Sequence, residues 1–266
     1  MVRKWVFVLL SVILVAVSSG CRLTWKNWNY QGVWEQEYDF AGQEINIEGS
    51  NGSITVNVWA EPWVKVTAKW SAKVDAYQFE PEIQEDESRL AISSTKRDRH
   101  LSGTSYIVSV PIDAVLKLRS SNGAISVSGD PLESLDIHTS NGPVNVSSAG
   151  RGKLTVTTSN GRVQISNWEG EIGCTTSNGS IRAILSRVER GEYSFITSNG
   201  EISVAVASDS QFELHASTSN GRVGTALPGE WTSQPSGTHY HGSYNGGGAK
   251  LTLSTSNNNL RLLPSD

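Results

Sequence analysis

A four-residue phrase, Thr-Ser-Asn-Gly, recurs along the chain at a nearly fixed interval and limits what the chain can fold into. It stands at residues 139–142, 158–161, 176–179, 197–200 and 218–221, with looser copies at 49–52, 120–123 and 255–258. From Asn122 to Asn220 successive asparagines are 19, 19, 18, 21 and 21 residues apart, and the step on to Asn257 is 37, close to two periods. A period of about 20 residues marks a repeat architecture, in which each repeat buries its apolar side only against its neighbours.

Around each copy the hydropathy alternates. Leu116 and Leu118, Leu135 and Ile137, Leu154 and Val156, Tyr193 and Phe195, and Leu251 and Leu253 lie six and four residues before an Asn. Ile125 and Val127, Val144 and Val146, Val163 and Ile165, Ile202 and Val204, and Leu260 and Leu262 lie three and five residues after one. Period two marks half-buried strands. The inward parity is even before the Asn and odd after it, so the chain turns a corner there and keeps its inward face. Gly is expected to supply a positive φ at this corner and Asn to tolerate the left-handed region.

Two folds accommodate a strand–corner–strand repeat. In a meander each Asn-Gly tips a two-residue hairpin. In a β-solenoid each repeat is one coil, and equivalent residues stack about 4.8 Å apart, where identical Asn amides bond up the stack. A meander has no need of the same Thr and Asn in every hairpin, and eight hairpins would make an awkward sheet of about sixteen strands. The reading is therefore an all-β, single β-solenoid with coils of about 20 residues and two strands per coil. Asn51, Asn122, Asn141, Asn160, Asn178, Asn199, Asn220 and Asn257 stand at equivalent corners. Pro131, Asn145, Gly150, Gly170 and Gly191 mark the opposite corners.

The first 20 residues read as an export signal: Arg3 and Lys4, an apolar run over 5–17, then Ser18, Ser19 and Gly20 before Cys21. That run is short for a membrane span. The small residues before a Cys resemble a bacterial lipoprotein signal, in which the Cys is lipidated and becomes the mature terminus. Ser18 departs from the usual Leu, and ordinary cleavage or an uncleaved anchor are the alternatives. Without the two basic residues of the leader, the chain carries 20 Lys and Arg against 26 Asp and Glu. That acidic balance argues against nucleic acid as a partner. Only Cys21 and Cys174 are present, so an acylated Cys21 leaves no internal disulfide.

Residues 21–33 read as a polar tether bearing Trp25, Trp28 and Tyr30, and the solenoid domain as 34–263. Two stretches break the period. Residues 59–106 read as strands with long loops, including an acidic turn over 84–88 and a basic loop over 96–100. Residues 227–248 are rich in aromatics and Gly, as a loop or an end cap that blunts the exposed strands.

The pattern apolar-x-apolar-x-Thr-Ser-Asn-Gly-x-Ile/Val-x-Val resembles the bacterial putative-adhesin β-strand-repeat family of unknown function. Val110-Pro111-Ile112 leading to Leu116-Lys117-Leu118 is similar to that family's approach to its array, and Gly246-Gly247-Gly248 leading to Leu251-Thr252-Leu253 to its close. Asn258 departs from the motif's Gly. The resemblance covers about residues 34–263. It implies a cell-envelope location, a β-solenoid-like fold and an adhesion role. Some relatives sit among envelope-stress systems.

No catalytic or cofactor motif is present: no Gly-x-Ser-x-Gly, no His-Glu-x-x-His and no phosphate-cradling Gly loop. The chain is therefore read as a non-enzyme without cofactor or metal. His239 and His241 flank Tyr240 and would share a strand face, but no third ligand is suggested nearby, and His138 and His215 fall at outward positions. The distinctive outward residues are Arg162, Arg182, Arg222 and Arg261, each two or four residues after its Asn, with Glu201 interrupting the row. Arg forks suit carboxylate, sulfate or phosphate. Together with Trp231, Tyr240 and Tyr244 of the insertion, should that loop fold back, they form a possible binding face. The expected function is that of an envelope lipoprotein, an adhesin or envelope-polymer binding module. Its partners are the membrane through a lipid anchor, and a polysaccharide or a membrane protein. The alternative is an envelope-stress regulator or scaffold acting through a membrane partner.

Overall fold

The alternating segments form strands throughout. The structure, a computed structural model, describes residues 30–42, 44–73, 79–94, 101–129 and 131–265. The expected leader, Cys21, Trp25, Trp28 and the basic run 96–100 lie outside these residues. Seven strands come first: β1 (Tyr30–Asp39), β2 (Glu44–Glu48), β3 (Ile54–Trp59), β4 (Trp63–Ala72), β5 (Glu82–Glu85), β6 (Arg89–Ser93) and β7 (Leu101–Pro111). The regular array follows as β8 (Val115–Ser120) and β9 (Ile125–Ser128), β10 (Ser134–Thr139) and β11 (Val144–Ser147), β12 (Leu154–Thr157) and β13 (Val163–Ser166). It continues with β14 (Ile172–Thr175) and β15 (Ile181–Ile184), then β16 (Glu192–Ile196) and β17 (Ile202–Val206). Last come β18 (Phe212–Thr218), β19 (Val223–Thr225), β20 (His239–Tyr244), β21 (Ala249–Thr255) and β22 (Leu260–Pro264).

These strands build a β-solenoid of two 11-stranded sheets. Every coil leaves one strand in each sheet, and successive coils pair in parallel without register slip: Leu135 lies opposite Leu116 and Leu154, and Val144 opposite Ile125 and Val163. Inward residues such as Leu118, Ile137, Val156, Phe195, Val163 and Val204 are fully buried in one continuous core. Cys174 sits among them, and burial pushes its thiol pKa up. Bulk is exchanged between rungs: small Cys174 lies beside Phe195 in one sheet, and Ala183 beside Val204 in the other.

The stack leaves chain order at both ends. β2 and β3 form a rung against β8 and β9, and the chain then travels outward to lay β6 and β7 on their far side. The irregular stretch 59–106 thus supplies most of a further rung. Its outer edges carry antiparallel strands, β4 and then β1 on β7, and β5 on β6. β1 begins at Tyr30, inside the stretch read as a tether. At the other end β21 lies between β16 and β18, and β22 between β17 and β19. The closing coil is therefore intercalated, and β20 covers β18 in antiparallel fashion.

The corners show why the phrase repeats. All eight asparagines join one amide ladder in the order 51, 122, 141, 160, 178, 199, 257, 220, each step linking Nδ2 to Oδ1 at 2.6–2.9 Å. Beside it the backbone N–H of Asn160 donates to Ser140 O, and that of Asn178 to Ser159 O, both at 2.9 Å. The Thr of each phrase points inward. Thr197 Oγ1 accepts from Gly200 N at 3.2 Å and donates to Gly179 O on the preceding rung at 3.0 Å, so a buried hydroxyl closes its own corner and joins it to the next.

The expected positive φ at the corner glycines is corrected. No Gly or Asn of the Asn-Gly corners is among the positive-φ residues, whose non-Gly members are Asp113, Asn167 and Asn245; of the glycines expected at the opposite corners only Gly191 has a positive φ. Close approach is the reason for Gly instead. A methyl group on Gly142 would overlap the carbonyl oxygen of Gly123, and one on Gly161 that of Gly142, with the same relation at Gly179 and Gly200. Asn145 is also corrected, since it lies inside β11 rather than at a corner. At that side of the solenoid the indole of Trp168 fills the space over Gly150 and donates from Nε1 to Gly152 O at 3.1 Å.

Candidate binding face and a histidine–carboxylate cluster

Outward residues of the sheet containing β9 to β19 form straight rows, because parallel register brings equal offsets from each Asn side by side. Four residues past the Asn, the row runs Ser126, Asn145, Gln164, Arg182, Ser203, Arg261, Gly224. Arg162 and Arg222 belong to the adjacent row, two residues past the Asn. All four Arg side chains are exposed and share one sheet face. Intercalation of the closing coil brings Arg261 one rung nearer to Arg182 and moves Arg222 one rung farther from Arg162 and Arg182. Arg182 and Arg261 stand two rungs apart, about 10 Å, and Arg162 and Arg222 four rungs apart, about 19 Å. Arg261 Nε lies 3.0 Å from Glu201 Oε1, so it is partly neutralised. Among the described residues Arg162, Arg182 and Arg222 show no ion pair. Ser128, Ser147 and Ser166 continue the polar face, with Ser128 Oγ bonded to Asn57 Oδ1 at 3.2 Å.

The aromatic half of the expected face is corrected. Trp231, Tyr240 and Tyr244 lie at the end of the other sheet, Trp231 and Tyr244 packed on Phe212 and Tyr240 on Trp231. Tyr244 is fully buried, stacked on Phe212 at 5.0 Å, and its hydroxyl donates to Ser208 O at 2.9 Å. Tyr240 donates to Ser233 O at 2.7 Å. Exposed Phe212 would leave the last rung's core open to water, so these rings are spent as an end plug. They are not available to a ligand lying on the Arg rows.

The same end brings together a group that the sequence reading did not assemble. β18 and β20 place His215 directly opposite His241, and their rings stack with centroids 4.1 Å apart. Glu213, two residues before His215 on the same face, reaches both. Its Oε1 is 2.6 Å from His241 Nε2 and 3.7 Å from His215 Nε2. The hydrogen bond with His241 holds the Glu213 carboxyl below the usual carboxylate range, aided by the nearby His215 and Lys250. His215 is half-buried, and Glu213 and His241 are exposed. His239, which shares the His241 face as expected, lies opposite Ser217, and its Nδ1 bonds to Thr238 Oγ1 at 3.0 Å. The signals were the short motifs Glu213-Leu214-His215 and His239-Tyr240-His241; their pairing across two strands was not in the sequence.

Two shallow depressions lie towards the opposite end. One, of about 420 Å³, is lined by Glu44, Glu82, Arg89, Lys117 and Arg119, and the other, of about 510 Å³, by Val33, Asn51, Lys69, Trp70 and Ser105. In the first, Lys117 Nζ lies 2.7 Å from Glu44 and holds its carboxyl below the usual range. Among the described residues the linings hold charged and polar groups but neither His nor Cys.

A sequence model of the family Toastrack DUF4097 matches residues 42–262. No curated protein matches the chain. Solved structures with a similar fold include a putative adhesin from Bacteroides fragilis, 12% identical over 86% of this chain and 96% of that one, with a TM-score of 0.45. A putative cell adhesion protein from Clostridium sporogenes is 11% identical over 88% of this chain and all of that one, with a TM-score of 0.40. A putative lipid binding protein from Parabacteroides distasonis is 11% identical over 86% and 96%, with a TM-score of 0.37.

Proposed function

This chain belongs to the Toastrack DUF4097 family, and on that footing we propose that it is a non-enzymatic, adhesin-like binding module of the bacterial cell envelope. The polar, Arg-bearing sheet face takes an acidic envelope polymer, and Cys21 carries a lipid that holds the protein at a membrane. The carrying observation is the exposure of Arg162, Arg182 and Arg222 on one sheet face whose neighbours are Ser, Asn and Gln. A rigid solenoid presents these groups with little ordering cost on binding. Each free guanidinium offers planar paired donors to carboxylate, sulfate or phosphate. The leader-like start and the small residues before Cys21 support export and anchoring. Only residues 22–29 separate Cys21 from β1, a reach of about 28 Å when extended. In this reading the β1 end of the stack lies nearer the membrane and the β18–β20 end farther from it.

The test is the combined variant Arg162→Ala, Arg182→Ala, Arg222→Ala against acidic polysaccharide and peptidoglycan, with folding followed by circular dichroism. Loss of about tenfold or more in affinity, with a weaker salt dependence, is expected. Unchanged binding in the folded variant moves the site off this face. A fatty-acid analogue fed to cells should label the wild type and not Cys21→Ser; equal labelling of both removes the anchor. In-cell cross-linking that captures chiefly one membrane protein would instead favour a regulatory or scaffold role.

A further inference from the structure

We propose that Glu213, His215 and His241 form a binding site for a divalent transition-metal ion of the zinc class at the β18–β20 end of the solenoid. This goes beyond the polymer-binding reading and uses different residues on the other sheet. The three ligand atoms lie within 4.8 Å of one another. Zinc bonds of about 2.0–2.2 Å to imidazole nitrogen and carboxylate oxygen set ligand atoms roughly 3.3 Å apart in a tetrahedral site. The observed separations of 2.6 Å and 3.7 Å from Glu213 Oε1 to the two Nε2 atoms bracket that value. Closing the set on one ion requires both imidazoles to turn about their side-chain torsions, on strands that keep their pairing.

The platform is rigid where it needs to be. β18 is hydrogen-bonded on one side to β20 and on the other to β21, so His215 and His241 are held as a directly opposed pair. Both Nε2 atoms lie within 3.7 Å of Glu213 Oε1, and because the rings are stacked 28° from parallel each must turn to aim its in-plane lone pair at a shared ion. Two imidazoles and one carboxylate suit Zn²⁺, Cu²⁺ or Ni²⁺ rather than Ca²⁺ or Mg²⁺, which prefer oxygen donors. Three protein ligands leave at least one position open, as in exchangeable rather than closed structural sites. The competing cation is Lys250, opposite Glu213 on β21; its ammonium is turned to Glu192 at 4.0 Å. The other neighbours on this face, Ser217, Thr252 and Ser243, are neutral, and His239 is engaged with Thr238. Metal binding displaces the proton shared by His241 Nε2 and Glu213 and leaves both imidazoles neutral at their bonding nitrogens.

The test uses Zn²⁺ itself, titrated into the full chain without a histidine tag, in competition with a chromogenic zinc indicator. A single equivalent should bind. His215→Ala and His241→Ala should each weaken binding at least about tenfold, while His239→Ala leaves it unchanged. Imidazole nitrogen resonances, read on the wild-type protein, should shift for His215 and His241 and stay put for His138 and His239. Stoichiometric binding that survives the double variant His215→Ala, His241→Ala overturns the site. So does a His239→Ala loss equal to that of His241→Ala, or wild-type affinity no greater than that of the double variant.

Discussion

A single methyl group separates the two kinds of glycine in this chain. At Gly161 an added Cβ collides with the Gly142 carbonyl, whereas at Gly173, outward on β14, it meets nothing within 4 Å. Gly161→Ala should therefore cost about 3 kcal/mol or more, because rung spacing is fixed by the ladder and cannot relax locally. Gly173→Ala should be neutral or stabilise by about 0.5 kcal/mol, since its backbone is already one an L-residue adopts. Urea denaturation of the two variants checks the contrast, and similar losses at both would refute the close-approach account. The asparagine ladder makes a second prediction. Asn160 both donates to Asn141 and accepts from Asn178, while Asn220 donates to Asn257 at the end of the ladder. Each exposed amide bond is worth about 0.5–1 kcal/mol, so Asn160→Ala should lose about twice what Asn220→Ala loses. Equal losses would mean that the amides stack without supporting one another.

At the scale of the strand, the alternation in the sequence maps directly onto burial. In β12 the pattern Leu-Thr-Val-Thr is buried, half-buried, buried, half-buried, and in β13 Val163 and Ile165 are buried while Gln164 is exposed. Val156→Asp or Ile165→Asp places an unpaired carboxylate between two parallel neighbours in a dry core. Each should cost at least about 4 kcal/mol, or raise the carboxyl pKa until it enters neutral. Thermal melts within error of the wild type would remove these strands from the core. The antiparallel strands at the ends follow a different logic. Parallel coils cannot end without leaving a row of open N–H and C=O groups, and β1 with β4, β5, and β20 shield those rows. Nothing in the period announces them, because β4, β5 and β20 belong to the stretches where the period fails and β1 precedes the first copy of the phrase.

For the whole molecule, the consequential feature is the intercalated last coil. β21 and β22 are the sole bridge between the β16–β17 rung and the β18–β19 rung among the described strands. A chain ending at Gly248 should lose hydrogen-exchange protection in β18, β19 and β20, keep it in β10 to β15, and associate through the newly opened edges. Full protection of β18 and β19 in that truncated chain would refute the rung order. The same insertion draws Arg261 towards Arg182 and pushes Arg222 away, so distances between the Arg side chains are set by topology rather than by chain separation. It also carries Lys250 next to Glu213, and the neighbours of the histidine cluster are thus supplied from three strands.

The sequence by itself determined the coil. Period two in hydropathy fixes which side chains face inward, and a recurrent Thr-Ser-Asn-Gly fixes where each regular coil bends, because both are local and repeated in every rung but that of β6 and β7. It also determined that Arg162, Arg182, Arg222 and Arg261 share a face, since parity alone decides that. Only the tertiary structure decided the order of rungs at the two ends, because that depends on which open sheet edge a strand finds, and every rung offers the same edge. It decided the fate of Trp231, Tyr240 and Tyr244 as well: the sequence shows aromatic rings, but only the exposed end of the core at Phe212 gives them a reason to be buried. The meeting of His215 with His241 follows from the same cause, an antiparallel strand laid over the last rung to close it.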